Sequence, residues 1–178
     1  VTDAFGKPLD DKPLEKINNK WPLMGKVMNP LKRSLIKKPL DVGVRIINSL
    51  LTVGQGQRLG IIAGSGVGKS VLLGMMSKYT DADVVVIALI GERAREVGAM
   101  VNDLFNDETS KKITVVAVPA DRSPLMRIRA ANRATAIAEY FRDKNKNVLL
   151  IMDSLTRIAH AKREIGLSLG ETATSKGY

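Results

Sequence analysis

The sequence has no cysteine, a single histidine and few aromatic residues. Without cysteine, its 178 residues can form neither disulfide bonds nor thiolate metal sites, which fits a reducing compartment. No apolar run approaches the roughly 18 residues that a membrane-spanning helix needs. Phe, Trp and Tyr make up 4% of the chain, so the aromatic platforms of single-strand nucleic-acid binders are hard to assemble. His160 has no second histidine and no cysteine to share a metal with, which favours a packed or surface residue.

Basic residues outnumber acidic ones, and the formal net charge is +10. This excess indicates either a solvated basic surface or attraction to an anionic partner, such as nucleic acid, acidic lipid head groups or an acidic protein. The basic residues are scattered, so charge alone does not identify the partner. Hydrophobic residues make up 44% of the chain, and its length suits one domain with a sizeable core.

The chain has two parts that differ in composition. The first 40 residues hold five of the seven prolines, which predicts loops and short extended pieces there. From residue 41 onward, strand-like and helix-like segments alternate, which predicts an α/β fold with a mainly parallel sheet. The predicted elements are a helix over 43–51, a strand over 58–63, a helix over 69–79, a strand over 83–90, a helix over 92–105, a strand over 113–118, a helix from Pro124 to about Arg142 with Ser123 as its N-cap, and a strand over 148–152.

A glycine-rich stretch gives the clearest chemical signal. Residues 63–70 read AGSGVGKS and match the P-loop pattern G-x-x-x-x-G-K-[ST], except that Ala63 replaces the first glycine. In such a loop the backbone amides and the N-terminus of the next helix bind phosphate oxygens. Lys69 would neutralise the β- and γ-phosphates, and the Ser70 hydroxyl would join the Mg²⁺ shell. The predicted nucleotide-binding residues are Gly64, Ser65, Gly66, Val67, Gly68, Lys69, Ser70 and Val71.

Acidic residues follow two of the predicted strands. Asp153 ends the strand over 148–152, where a carboxylate can organise Mg²⁺ beside the P-loop, although Asp also caps ordinary turns. Glu92 and Arg93 follow the strand over 83–90. Glu92 could activate the water that attacks the γ-phosphate, with Arg93 stabilising the developing charge and holding the carboxylate. Glu92 could equally be a helix-start residue favoured by the helix dipole, and the residues alone leave both interpretations open.

Four stretches together resemble the flagellar and type III secretion ATPases, which are relatives of the catalytic β subunit of F-type ATP synthase. They are residues 64–76 (GSGVGKSVLLGMM), 90–97 (IGERAREV), 138–143 (AEYFRD) and 149–171, which begins LLIMDSLTR. The resemblance implies a RecA-like P-loop NTPase core that is truncated at both ends. Residues 1–24 would be the remnant of an N-terminal β-barrel domain and linker, and residues 25–178 a partial ATPase domain.

The same resemblance implies roles for single residues. Glu92 matches the catalytic glutamate of the family, and Arg93 and Arg157 match arginines near the γ-phosphate. Together with Lys69 they form the expected catalytic set, and Ser70 and Asp153 form the expected metal-binding set. The expected activity is hydrolysis of ATP to ADP and phosphate, with Mg²⁺ as cofactor, to power bacterial protein export. The family's arginine finger and adenine pocket are expected beyond residue 178.

Assembly and location also follow from the resemblance. It implies a homo-hexameric ring that works with a central stalk protein, a stator-like regulator, an export gate and export chaperones. The ring would be cytoplasmic and peripheral at the cytoplasmic face of the inner membrane, and nucleic acid is not an expected partner. Two alternatives stay open: a RecA-like nucleic-acid motor, such as a ring translocase or termination factor, and a regulatory nucleotide-binding subunit.

Charged residues on the last two predicted helices are less informative. Arg127, Arg129 and Arg133 add positive charge to the helix that begins at Pro124, and this departure from the family leaves the flagellar and injectisome branches unseparated. Arg163 and Glu164 are interpreted as part of an exposed charged face of the last helix rather than as a subunit contact.

Overall fold

The computed structural model describes residues 1–10, 20–25, 27–64, 66–105 and 111–173. Apart from a short 3-10 helix at Pro30–Lys32, their regular elements are α1 (Arg45–Leu50), α2 (Lys69–Tyr79), β1 (Val84–Ile90), α3 (Ala94–Phe105), β2 (Ile113–Val118), α4 (Pro124–Asp143), β3 (Val148–Asp153) and α5 (Leu155–Ser168). The order confirms the α/β class, and most element bounds lie within two residues of the predicted ones.

The strands form one parallel sheet in the order β2-β1-β3. In the central strand, Leu89 is level with Asp153 of β3, and Ile90 is level with Val118 of β2. All three strands therefore end at one edge of the sheet, and ligands of parallel α/β proteins bind beyond this edge. The prediction of a mainly parallel sheet is confirmed.

Side chains of β1 alternate between two cores. Val85, Ile87 and Leu89 pack in a cluster that also contains residues of α2 and α3. The intervening residues Val86, Ala88 and Ile90 pack on the opposite face, against α4. Six of the seven β1 residues are buried, which explains why this strand reads as an unbroken apolar run rather than as an alternating one.

Helix α4 packs closely on the sheet because its inner face is made of alanines. These buried alanines are Ala130, Ala131, Ala134 and Ala138. The helix begins as predicted: Pro124 occupies its first turn, and the Ser123 hydroxyl accepts a hydrogen bond from the Met126 amide at 3.4 Å. Small side chains thus bring this long helix against all three strands.

The strand predicted over 58–63 is absent, and this prediction is wrong for the structure. The segment has no regular secondary structure, and Leu59, Ile61 and Ile62 are exposed, the last completely. An apolar run becomes a buried strand only when a neighbour takes its backbone hydrogen bonds and both faces are covered. Within the described residues β3 is an edge strand, and the segment does not pair with it.

Residues near the start of the chain lie beside β2. The Thr2 amide donates to the Val115 carbonyl, and the Ala117 amide donates to the Thr2 carbonyl, both at 2.9 Å. These bonds attach the first residues to the outer edge of the sheet. In the described part of the chain, every helix is too short or too polar to cross a bilayer.

Candidate active site

The P-loop presents an open surface at the N-terminus of α2. Gly66 and Gly68 have φ angles of 75° and 92°, in the left-handed region that favours glycine. A Cβ atom added at Gly64, Gly66 or Gly68 would meet nothing within 4 Å. Among the described residues no side chain caps the start of α2, which leaves its first amides available to an anion.

Three further residues of the predicted nucleotide-binding set have exposed side chains. Val67 and Val71 are exposed, at 67% and 68% of their surface, and Ser70 is exposed at the second position of α2. Ser65 lies outside the described residues. The described members of this set therefore lie in the loop before α2 and in its first turn.

Lys69 and Asp153 are in direct contact. The Lys69 ammonium donates a hydrogen bond to Oδ1 of Asp153, which is 4% exposed. A buried carboxylate requires such a partner, because its charge loses hydration in the core. The contact joins the start of α2 to the end of β3, and the Asp153–Ser154 peptide bond beyond it is cis.

A cavity of about 30 Å³, here called the site cavity, opens beside this ion pair. It has room for a water molecule. Ser70, Glu92 and Asp153 line it, and the complete lining is Ser70, Leu89, Glu92, Glu96, Val97, Met100 and Asp153. The fold thus brings residues from three separate predicted motifs to one place, at the carboxyl edge of the sheet.

The environment of Glu92 favours its protonated form. Burial raises the pKa of Glu92, and the negative charge of Asp153 and a hydrogen bond with Glu96 raise it further. The positive charges of Lys69 and Arg157 act in the opposite direction. A carboxylate whose pKa is raised is a stronger base once it is ionised, which suits a group that must accept a proton from water.

The two predicted arginines differ in their partners. Arg157, in the first turn of α5, lies against Gly91 and contributes positive charge at Glu92. Arg93 instead lies 3.6 Å from Glu96, and both of these side chains are largely exposed. The sequence predicts that Arg93 holds the Glu92 carboxylate, but in the structure Arg93 pairs with Glu96 instead.

Glu96 was missed by the sequence reasoning. It lines the site cavity together with Glu92, which it follows by four residues, and its carboxyl group is one cause of the raised pKa of Glu92. The available signal was an acidic residue in the first turn of a helix that begins just beyond the carboxyl edge of the sheet. We therefore include Glu96 among the functional residues.

The donor set fits a magnesium ion that is bound together with phosphates. The described residues include no cluster of three or more His, Cys, Asp or Glu side chains able to hold a metal by themselves. Mg²⁺ in nucleotide sites commonly takes only one or two protein oxygen atoms, with phosphates and water as its other ligands. Ser70 and Asp153, which line the same cavity, supply oxygens of this kind.

Similarity to known proteins extends over the whole chain. Residues 43–178 match the family model "ATP synthase alpha/beta family, nucleotide-binding domain". The flagellum-specific ATP synthases of Pseudomonas aeruginosa and Bacillus subtilis are 58% and 55% identical over all 178 residues, which correspond to 40% and 41% of those proteins. The chain thus spans about two fifths of the length of these relatives.

Solved structures show the same relationship. The assembled ATPase EscN in complex with its central stalk EscO, from the type III secretion system of enteropathogenic E. coli, is 46% identical with a TM-score of 0.92. The match covers 99% of this chain and 44% of that one. With its P-loop, its parallel sheet and this similarity, the chain belongs to the ATP synthase alpha/beta family, in which residues 43–178 match the nucleotide-binding domain.

Proposed function

We propose that this chain binds MgATP at the P-loop and is the hydrolytic part of an ATPase that powers bacterial protein export. One observation carries the proposal: Lys69, Ser70, Glu92 and Asp153 converge at the site cavity, next to an open glycine loop. Phosphoryl transfer requires little more from a protein than correct placement of such charges and dipoles.

Phosphate binding falls to the loop amides and Lys69. The Lys69 ammonium, which pairs with Asp153 in this structure, would neutralise the β- and γ-phosphates. Ser70 and Asp153 would hold Mg²⁺, which supplies charge neutralisation for the phosphates when bound. Val67 and Val71 would border the nucleotide at the loop surface.

Glu92 is the proposed general base. It would orient a water molecule in the site cavity and accept its proton as the oxygen attacks the γ-phosphorus, while the β–γ bridging oxygen leaves with ADP. Arg157 would bind the γ-phosphate of MgATP and stabilise the negative charge of the transition state. Arg93, on the exposed side and paired with Glu96, would approach the same phosphate from outside.

The domain would work within a longer polypeptide. We propose the division made from the sequence, with residues 1–24 as the remnant of a β-barrel domain and linker and residues 25–178 as part of the ATPase domain. The complete protein would form a six-membered ring with a central stalk, a stator-like regulator, an export gate and export chaperones as partners. It would lie in the cytoplasm, against the inner membrane. The structure of assembled EscN with its central stalk EscO supports the assembly and the stalk partner in this proposal.

The relatives favour flagellar export. Identity to the flagellum-specific ATP synthases named above is 55–58%, against 46% to EscN. The relatives named above give no support to the alternative of a nucleic-acid motor. Strong stimulation of hydrolysis by RNA or DNA, weakening steeply with salt, would reverse this choice.

Nucleotide binding is tested with Lys69→Ala in this chain. Its affinity for MgATP, measured by titration calorimetry, should fall about 10- to 100-fold, since a charge-assisted contact is worth about 1.5–3 kcal/mol. Lys162→Ala removes an equal charge from the exposed face of α5 and should leave the affinity unchanged. Equal affinity of Lys69→Ala and the parent would disprove the proposal.

Catalysis is tested with Glu92→Gln in the full-length protein. Loss of a general base should lower the hydrolysis rate about 10²- to 10⁴-fold, with MgATP still bound. Unchanged hydrolysis would remove Glu92 from its role. If the parent protein does not hydrolyse ATP either, the result would favour the alternative that this chain is a regulatory nucleotide-binding subunit.

A further inference from the structure

Arg127 is a buried arginine on α4. Only 9% of the residue is exposed, and its Nη2 donates to Oε2 of Glu164 on α5 at 2.8 Å. Within the described residues its Nε finds no acceptor. Burial of a guanidinium is unfavourable unless an opposite charge compensates it, so Glu164 is what permits Arg127 to lie between the two helices.

This ion pair is connected to the site through α5. Glu164 follows Arg157 by seven residues, which is close to two helical turns, so both side chains leave α5 on nearly the same face. In the first turn Arg157 packs against Gly91, and two turns later Glu164 pairs with Arg127. Helix α5 is therefore attached at two points along one face.

Apolar packing alone would fix α5 less well. The fully buried side chain of α5 is Ala161, which is small, and the helix in contact with α5 is α4. Small side chains offer few ridges and grooves, so they set the rotation of a helix about its own axis weakly. A directional, charged contact such as Arg127–Glu164 sets this rotation better.

We propose that Arg127 and Glu164 are positioning residues, which set the rotation of α5 and thereby direct the Arg157 guanidinium towards Glu92 and the γ-phosphate. The inference rests on the proposed role of Arg157 in MgATP binding. Neither residue of the pair lies in the P-loop or lines the site cavity. The pair would therefore affect binding of the γ-phosphate, which ATP has and ADP lacks, and would leave binding of the rest of the nucleotide unchanged.

The test compares affinities for MgADP and for the non-hydrolysable analogue MgAMPPNP, measured on the full-length protein by titration calorimetry. Their ratio isolates the contribution of the γ-phosphate. The main variant is Arg127→Met combined with Glu164→Leu, because replacing both partners with apolar side chains leaves no unpaired charge between the helices. We expect the ratio to fall about tenfold while MgADP binding stays within about twofold of the parent.

Two further variants secure the result. Glu164→Gln changes only the half-exposed partner and should also lower the ratio of MgAMPPNP affinity to MgADP affinity. This variant replaces the double variant in the test if the double variant does not fold. The charge-exchanged pair, Arg127→Glu with Glu164→Arg, should recover part of the lost ratio. A folded Arg127→Met/Glu164→Leu protein, or a folded Glu164→Gln protein, with the parental ratio would overturn the inference.

Arg157→Ala separates failure of this inference from failure of the proposed function. If Arg157→Ala lowers the ratio and the ion-pair variants do not, the positioning role is wrong and the role of Arg157 stands. If Arg157→Ala leaves the ratio unchanged, its proposed role is wrong, and the positioning role falls with it. Loss of MgADP binding in Lys69→Ala shows, independently, that the measured site is the P-loop.

Discussion

Gly91 and Arg157 lie in such close contact that no side chain larger than hydrogen fits between them. A Cβ atom added to Gly91 would be 2.8 Å from Cβ and 2.9 Å from Cγ of Arg157, and Gly91 has a φ of 73°. The glycine thus serves two purposes. It turns the chain after β1 towards Glu92, and it admits the stem of an arginine from α5.

Gly91→Ala should destabilise the protein by about 1–3 kcal/mol, since alanine must adopt a left-handed conformation and displace Arg157. Urea unfolding measures this change. Gly98→Ala is the matched control, because a Cβ at Gly98, in the middle of α3, would meet nothing within 4 Å. That control should be stabilised by up to about 1 kcal/mol. Equal effects at the two positions would contradict the assigned contact.

Glu92→Gln should make the protein more stable than the parent at neutral pH. Because the pKa of Glu92 is raised in the folded state, the parent loses stability as the pH rises from the unfolded pKa to the folded pKa, and the loss is complete once the partly buried carboxyl is ionised. The advantage of the variant should shrink as the pH falls through the folded pKa towards the unfolded value of about 4.3. Thermal unfolding between pH 4 and 8 measures it. A difference that does not depend on pH would point to another cause.

Asp41→Asn should have the opposite pH dependence. The Gly43 amide and the Asn48 side-chain amide each donate to Asp41 at 2.6 Å, and these bonds lower the pKa of Asp41. The stabilisation from the ionised Asp41 is therefore present above the unfolded pKa of about 3.9 and lost as the pH falls through the folded pKa. In thermal unfolding, the parent should have a higher melting temperature than the variant at neutral pH and the same melting temperature in acid. Asn48→Ala, which removes one donor, should reduce this pH-dependent difference.

Ala134→Leu should destabilise the protein by about 1–3 kcal/mol. Ala134 is fully buried between α4 and the sheet, and a larger side chain must push the helix away from the strands. Ala99→Leu on the exposed side of α3 is the control, with an expected change below about 0.5 kcal/mol. Chemical denaturation of both variants compares them directly. Similar losses in the two proteins would mean that α4 does not pack as tightly as its alanines indicate.

Much of the fold could be predicted because its signals are local. The apolar run of β1, the Ser123-Pro124 start of α4 and the glycines before Lys69 each specify a backbone conformation within a few residues. The strand expected over 58–63 shows the limit of such signals. Its residues are apolar enough, but pairing depends on a neighbouring strand that a local pattern does not identify.

The site divides in the same way. The sequence by itself predicted the P-loop and the acidic residue at the end of β3 from residue types at fixed spacing, whereas the role of the glutamate after β1 stayed open until the family resemblance was added. Only the tertiary structure decided that Glu96 shares the cavity with Glu92, that Arg93 pairs with Glu96, and that Arg127 reaches Glu164. These relationships depend on where helices come to rest on the sheet and how they are rotated about their axes. Packing of many side chains sets that rotation, and no short stretch of sequence encodes it.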